Sequence, residues 1–160
     1  MSVKPIPDGY HSLTPYLIVR GGVRAIDFYK QAFGATELFR VAAPGDSIGH
    51  AEMKIGDSIF MLGDECPEMG ASSPETVGGT PVGLMLYVEN VDEVVARAVA
   101  AGGKLLKPVS DQFYGDRSGT VQDPCGHQWT VATHVEDVPA DEIARRAAAA
   151  WDAVSANEAS

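Results

Sequence analysis

The sequence predicts an α+β domain: two βαβββ modules forming a cupped mixed sheet, followed by a C-terminal helix. Three observations predict it. The chain repeats itself at an offset of 68, so that Val23 falls on Val91, Ile26 on Val94, Ala32 on Ala100, Gly34 on Gly102 and Leu38 on Leu106. Within each repeat a strand-like run is followed by apolar residues at helical spacing and then by short alternating runs. A segment rich in turn formers separates the repeats, and an Ala-rich segment follows them.

In chain order, TPYLIV from Thr14 opens the first module (12–64) as a strand. Val23, Ile26, Phe28 and Phe33 then mark one helix face, and Gly34 stands where a left-handed helix stop is wanted. TELFRV, GHAEMKI and SIFMLG supply three strands, the last two joined through Gly56 and Asp57 as a two-residue hairpin turn. Residues 65–81 read as a linker or lid. The second module (82–135) repeats the plan: GLMLYV, a helix marked by Val91, Val94, Val95 and Ala98, then KLLKPV, RSGTVQD and HQWTVATH with a tight turn at Asp123–Gly126. Residues 139–154 read as an added helix, with Pro139 in its first turn and Asp141 and Glu142 where the helix dipole favours anions. Its Ile143, Ala147, Trp151 and Val154 form a narrow apolar stripe that needs a partner, either the protein's own sheet or a second subunit.

Composition limits the function. A chain of 160 residues holds one core of ordinary size. With 22 acidic and 12 basic residues the net charge is -10 and no basic run exists, which argues against a nucleic-acid partner. No stretch approaches a membrane span, and two cysteines without CxxC spacing point to a reduced, cytoplasmic setting.

Strand alternation separates the residues under the helices from those on the opposite face. Ala51, Met53, Phe60 and Leu62 are assigned to the core, with His50, Glu52 and Met61 opposite. By the same accounting Tyr16, Met85, Tyr87 and Thr130 share the second face, together with His134. If the last turn pairs Gln122 with His127, Arg117 and Gly119 join them. That face suits a small-molecule site, with Arg117 offering a planar fork to an acidic group. Tyr114, in the loop Gln112–Asp116, is a further candidate for contact with a flat ligand. His127 reads as a satisfied turn residue, His134 as a solvated strand end, and Cys125 as exposed in its turn.

The repeated module, with IDFY in the first helix and DPCGHQW closing the second half, resembles the vicinal-oxygen-chelate superfamily of glyoxalases, extradiol dioxygenases and bleomycin-resistance proteins. FYKQAFGATE and GHAEMKIGDSIFMLGDE look like its glyoxalase-like branch carrying 3-demethylubiquinone methyltransferase or phosphonate-operon labels. The resemblance implies dimers and, in metal-dependent members, a divalent ion held from four strands. Carried over, the four ligand positions fall on Thr14, Met61, Gly83 and Thr130, a set without strong donors, so no metal and no cofactor is expected. The leading expectation is a homodimer that binds a small organic molecule in its cupped sheet. The alternative is a lyase, isomerase or dioxygenase using His50 and Glu52 as an acid/base pair or as partial metal ligands.

Overall fold

The computed structural model describes residues 2–160. The first module runs β1 (Tyr16–Val19), α1 (Gly22–Phe33), β2 (Thr36–Ala43), β3 (Ser47–Ile55) and β4 (Ser58–Asp64). A connector with a 3-10 turn at Pro67–Met69 and a short helix α2 (Pro74–Val77) leads to the second: β5 (Gly83–Tyr87), α3 (Val91–Ala100), β6 (Lys104–Asp111), β7 (Asp116–Gln122) and β8 (Gln128–His134). Helix α4 (Ala140–Glu158) closes the chain. The strands form two mixed four-stranded sheets with matching orders, β1-β4-β3-β2 and β5-β8-β7-β6.

The α+β class and the duplicated plan agree with the sequence expectation, but the helices match at a different offset. The buried positions Val91, Val94, Val95 and Ala98 of α3 fall on Gly22, Ala25, Ile26 and Tyr29 of α1, all buried as well, at an offset of 69; α1 further buries Phe28, Ala32 and Phe33. Val23, which the repeat at 68 placed on Val91, is instead 41% exposed. Hydrophobicity alone misaligned the helices because Gly22 is the small residue that lets α1 approach β3. A Cβ added there would lie 2.7 Å from Ile48 and 2.8 Å from the Asp64 carboxylate. That carboxylate accepts the amide hydrogens of Gly21 and Gly22 at the start of α1 (2.7 and 3.0 Å) and of Ile48 (2.6 Å), so one side chain caps the helix and ties β3 beneath it.

The β3-β4 register is the expected one, with Ile55 opposite Ser58, Met53 opposite Phe60 and Ala51 opposite Leu62. These pairs carry Met53 and Leu62 to full burial against Ile26 and Val19, and each such side chain contributes about 1.5–3 kcal/mol. The cores of the two modules are continuous. Tyr29 and Phe33 of α1 pack at a tilt against Trp129 of β8, with ring centroids 5.4 and 4.8 Å apart. The Arg97 side chain of α3 reaches the Ala32 carbonyl of α1 at 3.3 Å, where the helix end gathers negative charge.

The strongest polar link between modules is Asp123. Its buried carboxylate accepts four hydrogen bonds: from Tyr29 Oη (2.6 Å), Trp129 Nε1 (3.0 Å) and the amides of Cys125 and His127 (2.9 and 3.0 Å). Burial, with the adjacent carboxylate, raises the Tyr29 pKa well above its usual value. The connector is tied down as well. Glu65 accepts from the Thr76 hydroxyl and the Ser73 amide, and its pKa is lowered to about 2 by those bonds. Helix α4, by contrast, buries no residue; it is held through Arg146, which bonds the Phe113 carbonyl (2.9 Å) and Glu136.

Candidate functional site

Each sheet turns one face toward its helix and leaves the other open. On the first sheet the open face carries Tyr16, His50, Glu52 and Met61, as alternation predicts. Tyr16 pairs with Met61 and Glu52 with Met61 across the strands, which brings these side chains into one row. The Tyr16 hydroxyl lies 3.0 Å from His50 Nδ1, and His50 Nε2 lies 3.5 Å from Glu52 Oε1. Phe39 of β2, opposite Glu52, sets its ring 6.2 Å from that of His50. Tyr10 closes the row: its hydroxyl is shut off from solvent without a well-formed hydrogen bond, and its pKa is pushed up to about 12 by burial and by the Glu52 carboxylate. The face therefore joins aromatic and thioether surface to a Tyr-His-Glu chain. Such a chain fixes an imidazole tautomer and offers a carboxylate to a donor.

The open face of the second sheet carries Met85, Tyr87 and Thr130, also as expected. Sequence reasoning missed its main polar feature. Asp116 is buried and accepts from the Tyr87 hydroxyl (2.7 Å), and its other oxygen meets His134 Nδ1 at 2.7 Å. His134 Nε2 is 2.8 Å from Asp137, so this histidine is bonded on both sides rather than merely solvated. Asp116 and Asp137, in that order, raise its pKa above the usual 6.5. The Tyr87 pKa is likewise raised, first by its bond to Asp116. The pairing of β7 with β8 sets Asp116 beside His134.

Three expectations need correction. The last turn pairs Gln122 with Gln128, one residue beyond the expected His127, because Asp123 N donates to the His127 carbonyl and lengthens the connection. Every β7 side chain consequently changes face. Arg117 lies toward α3, where it grips Asp92 at its first turn (2.8 and 2.9 Å) and Asp111 at 3.2 Å. Cys125 is fully buried rather than exposed, its thiol pushed up to about 11 chiefly by burial. His127 is a satisfied turn residue, its Nε2 2.8 Å from the Ile18 carbonyl. Tyr114 packs edge-on against Phe113 in its loop, centroids 5.3 Å apart.

The four positions at which the superfamily resemblance would place metal ligands do not suit an ion. Gly83 has no side chain, Met61 offers a thioether, Thr14 a neutral hydroxyl, and the Thr130 hydroxyl is engaged with Thr120 at 3.0 Å. Among the described residues no group of three or more His, Cys, Asp or Glu converges as a metal site. No helix among them is long and apolar enough to cross a membrane.

Residues 11–131 match the Glyoxalase/Bleomycin resistance protein/Dioxygenase superfamily, and the chain belongs to it. An uncharacterized protein of Mycobacterium tuberculosis strain H37Rv is 43% identical over 135 residues, which cover 82% of this chain and 79% of the relative. The crystal structure of TioX from Micromonospora sp. ML1 superimposes with a TM-score of 0.61 at 27% identity, covering 81% of this chain and 100% of that one. The fosfomycin resistance protein FosX from Mesorhizobium loti shares the fold at 16% identity, with a TM-score of 0.58 over 77% of this chain and 91% of its own. The family binds small molecules, which agrees with the class of partner expected from the open faces.

Proposed function

We propose that the protein is a metal-free binder of a small organic molecule, similar in role to the sequestering bleomycin-resistance members of its superfamily. The observation that carries this reading is an aromatic and thioether face in which the ligand-equivalent positions Met61, Gly83 and Thr130 offer an ion nothing strong. Tyr16, Phe39, Met61, Met85 and Tyr87 supply flat apolar contact, and His50, Glu52 and Thr130 supply orienting polar groups. Arg117, engaged with Asp92 and Asp111, takes no part, and the faces thus lack a guanidinium for an acidic ligand. A thermal-shift screen of divalent metals and flat aromatic molecules tests the reading. Aromatic ligands are expected to raise the melting temperature, by an amount that shrinks in His50→Ala and Glu52→Ala. Stoichiometric Zn, Ni, Fe or Mn in the purified protein, lost with either substitution, would overturn it.

The Tyr16-His50-Glu52 chain favours a second reading, acid/base catalysis with His50 as base and Glu52 as its orienting carboxylate. Turnover of a substrate that survives both substitutions would exclude that assignment.

The same reading includes a homodimer. Trp151 and Val154 of α4 are 70% and 56% exposed, which leaves the C-terminal part of its apolar stripe uncovered. Both open sheet faces also expose aromatic surface that a second copy would cover. Sedimentation at micromolar concentration is expected to give twice the chain mass; a monomer would contradict it.

A further inference from the structure

Apart from the open faces, the molecule has a cavity of about 430 Å³ where the two modules meet. One wall is the β3-β4 hairpin from Ile55 to Phe60, another the entering segment with Leu13 and Pro15, and the third is β5. Leu84 and Leu86, which point under the helix, line this cavity, and so do Met85 and Tyr87, which point to the open face. Side chains of both faces border one space only when that space runs along the edge of the strand. Strand β5 is indeed the edge of its sheet.

The edge has an unused hydrogen-bonding row. Val88 N donates to the Ala132 carbonyl, so the backbone of Val88 points toward β8. In a parallel ladder, alternate residues point the same way, which directs Leu84 and Leu86 to β8 as well and turns the N–H and C=O of Met85 and Tyr87 outward. Among the described residues, neither outward N–H meets an acceptor. Adjacent donor and acceptor groups on apolar, partly aromatic walls define one ligand chemistry. An edge strand with its N–H and C=O turned outward can be paired by a molecule that carries both an acceptor and a donor. The Tyr87 ring, fixed through its hydroxyl on Asp116, and the Trp129 ring at the cavity floor suit a flat partner.

We propose that this cavity is a second binding site, for a flat cyclic amide or lactam whose neighbouring N–H and C=O pair with the outward C=O and N–H of Met85. The volume fits one such molecule. The site shares Met85 and Tyr87 with the open face of the second sheet, but His50, Glu52 and Met61 do not border it.

The full-length protein, labelled with nitrogen-15, is titrated with 2-quinolinone as the probe, and with N-methyl-2-quinolinone, which keeps the ring but loses the donor. Saturable shifts of the Met85 and Tyr87 amides are expected with the lactam, and binding at least tenfold weaker after N-methylation. Edge strands tolerate proline where the N–H points outward, so Met85→Pro removes the proposed donor without breaking the ladder to β8. It is expected to weaken the lactam at least tenfold, whereas His50→Ala, which lies outside the cavity, stays within about threefold of wild type. Should Met85→Pro fail to fold, the comparison of the two probes on wild type still decides. Equal binding of the N-methyl probe, shifts centred on His50 and Glu52, or no saturable binding at millimolar probe would each overturn the proposal. So would shifts of Met85 and Tyr87 that follow protein concentration alone, which would assign the edge to a second copy.

Discussion

Replacing Tyr29 by Phe removes one oxygen and leaves the ring among Phe33, Phe60 and Trp129. What is lost is the 2.6 Å bond to Asp123, one of four donors on a buried carboxylate. A hydrogen bond to a charged group contributes about 1.5–3 kcal/mol, and the fully buried Tyr29 hydroxyl has no water with which to replace it. In a chain of this length each kcal/mol moves the melting temperature by about 2–4 °C, so the midpoint should fall by about 6 °C. Asp123→Ala leaves Tyr29, Trp129 and two amides without their acceptor and should cost about 4 kcal/mol, the range seen when one partner of a buried ionic network is deleted. Urea unfolding followed by Trp fluorescence measures both, and the double mutant gives the coupling, expected at about 2 kcal/mol. A Tyr29→Phe midpoint equal to wild type with an unchanged slope, or a coupling near zero, would refute the view that this carboxylate joins the modules.

Three further outcomes are expected. Of the two thiols, Cys66 should react with iodoacetamide at neutral pH while Cys125, buried and with its pKa near 11, stays unmodified until unfolding, as read by intact mass. His134, whose pKa is raised in the folded state by Asp116 and then Asp137, contributes stability that is fully present below 6.5 and lost as pH rises through its folded value. His134→Ala should therefore lower the melting temperature more at pH 5.5 than at pH 9; an equal loss at both would remove the charged pairing as the cause. Arg117→Ala should leave affinity for any open-face ligand within about twofold by isothermal titration, because its guanidinium is spent on Asp92 and Asp111, whereas Glu52→Ala should weaken the same ligand at least tenfold.

The duplicated plan and the first sheet were legible in the sequence because two-residue turns leave little freedom. Gly56 and Asp57 fix the register of β3 and β4, and with it the face of His50, Glu52 and Met61. The last hairpin was not legible in the same way. Its connection uses Asp123 as an internal acceptor for two turn amides, a choice that spacing alone cannot reveal, and the one-residue difference moved Arg117 to the helix side and Asp116 to the open face. Burial of Cys125 follows from the same turn folding inward over α1. The offset of the helices was misread because Gly22 matches Val91 by position and not by hydrophobicity. The Tyr87-Asp116-His134 chain depends on three strands meeting, and no local pattern signals it.

The bond between Tyr29 and Asp123 makes the two repeats unequal. At the offset of 69 the counterpart of Tyr29 is Ala98, so the two copies no longer carry interchangeable parts at this position. A residue of the first half is held by a residue of the second, and each depends on the other having stayed put. Asp123 also serves Trp129 and two amides of its own half, so the last hairpin of the second module is organised partly around a side chain of the first. The two repeats share a plan yet act as complements, each lacking at this position what the other supplies.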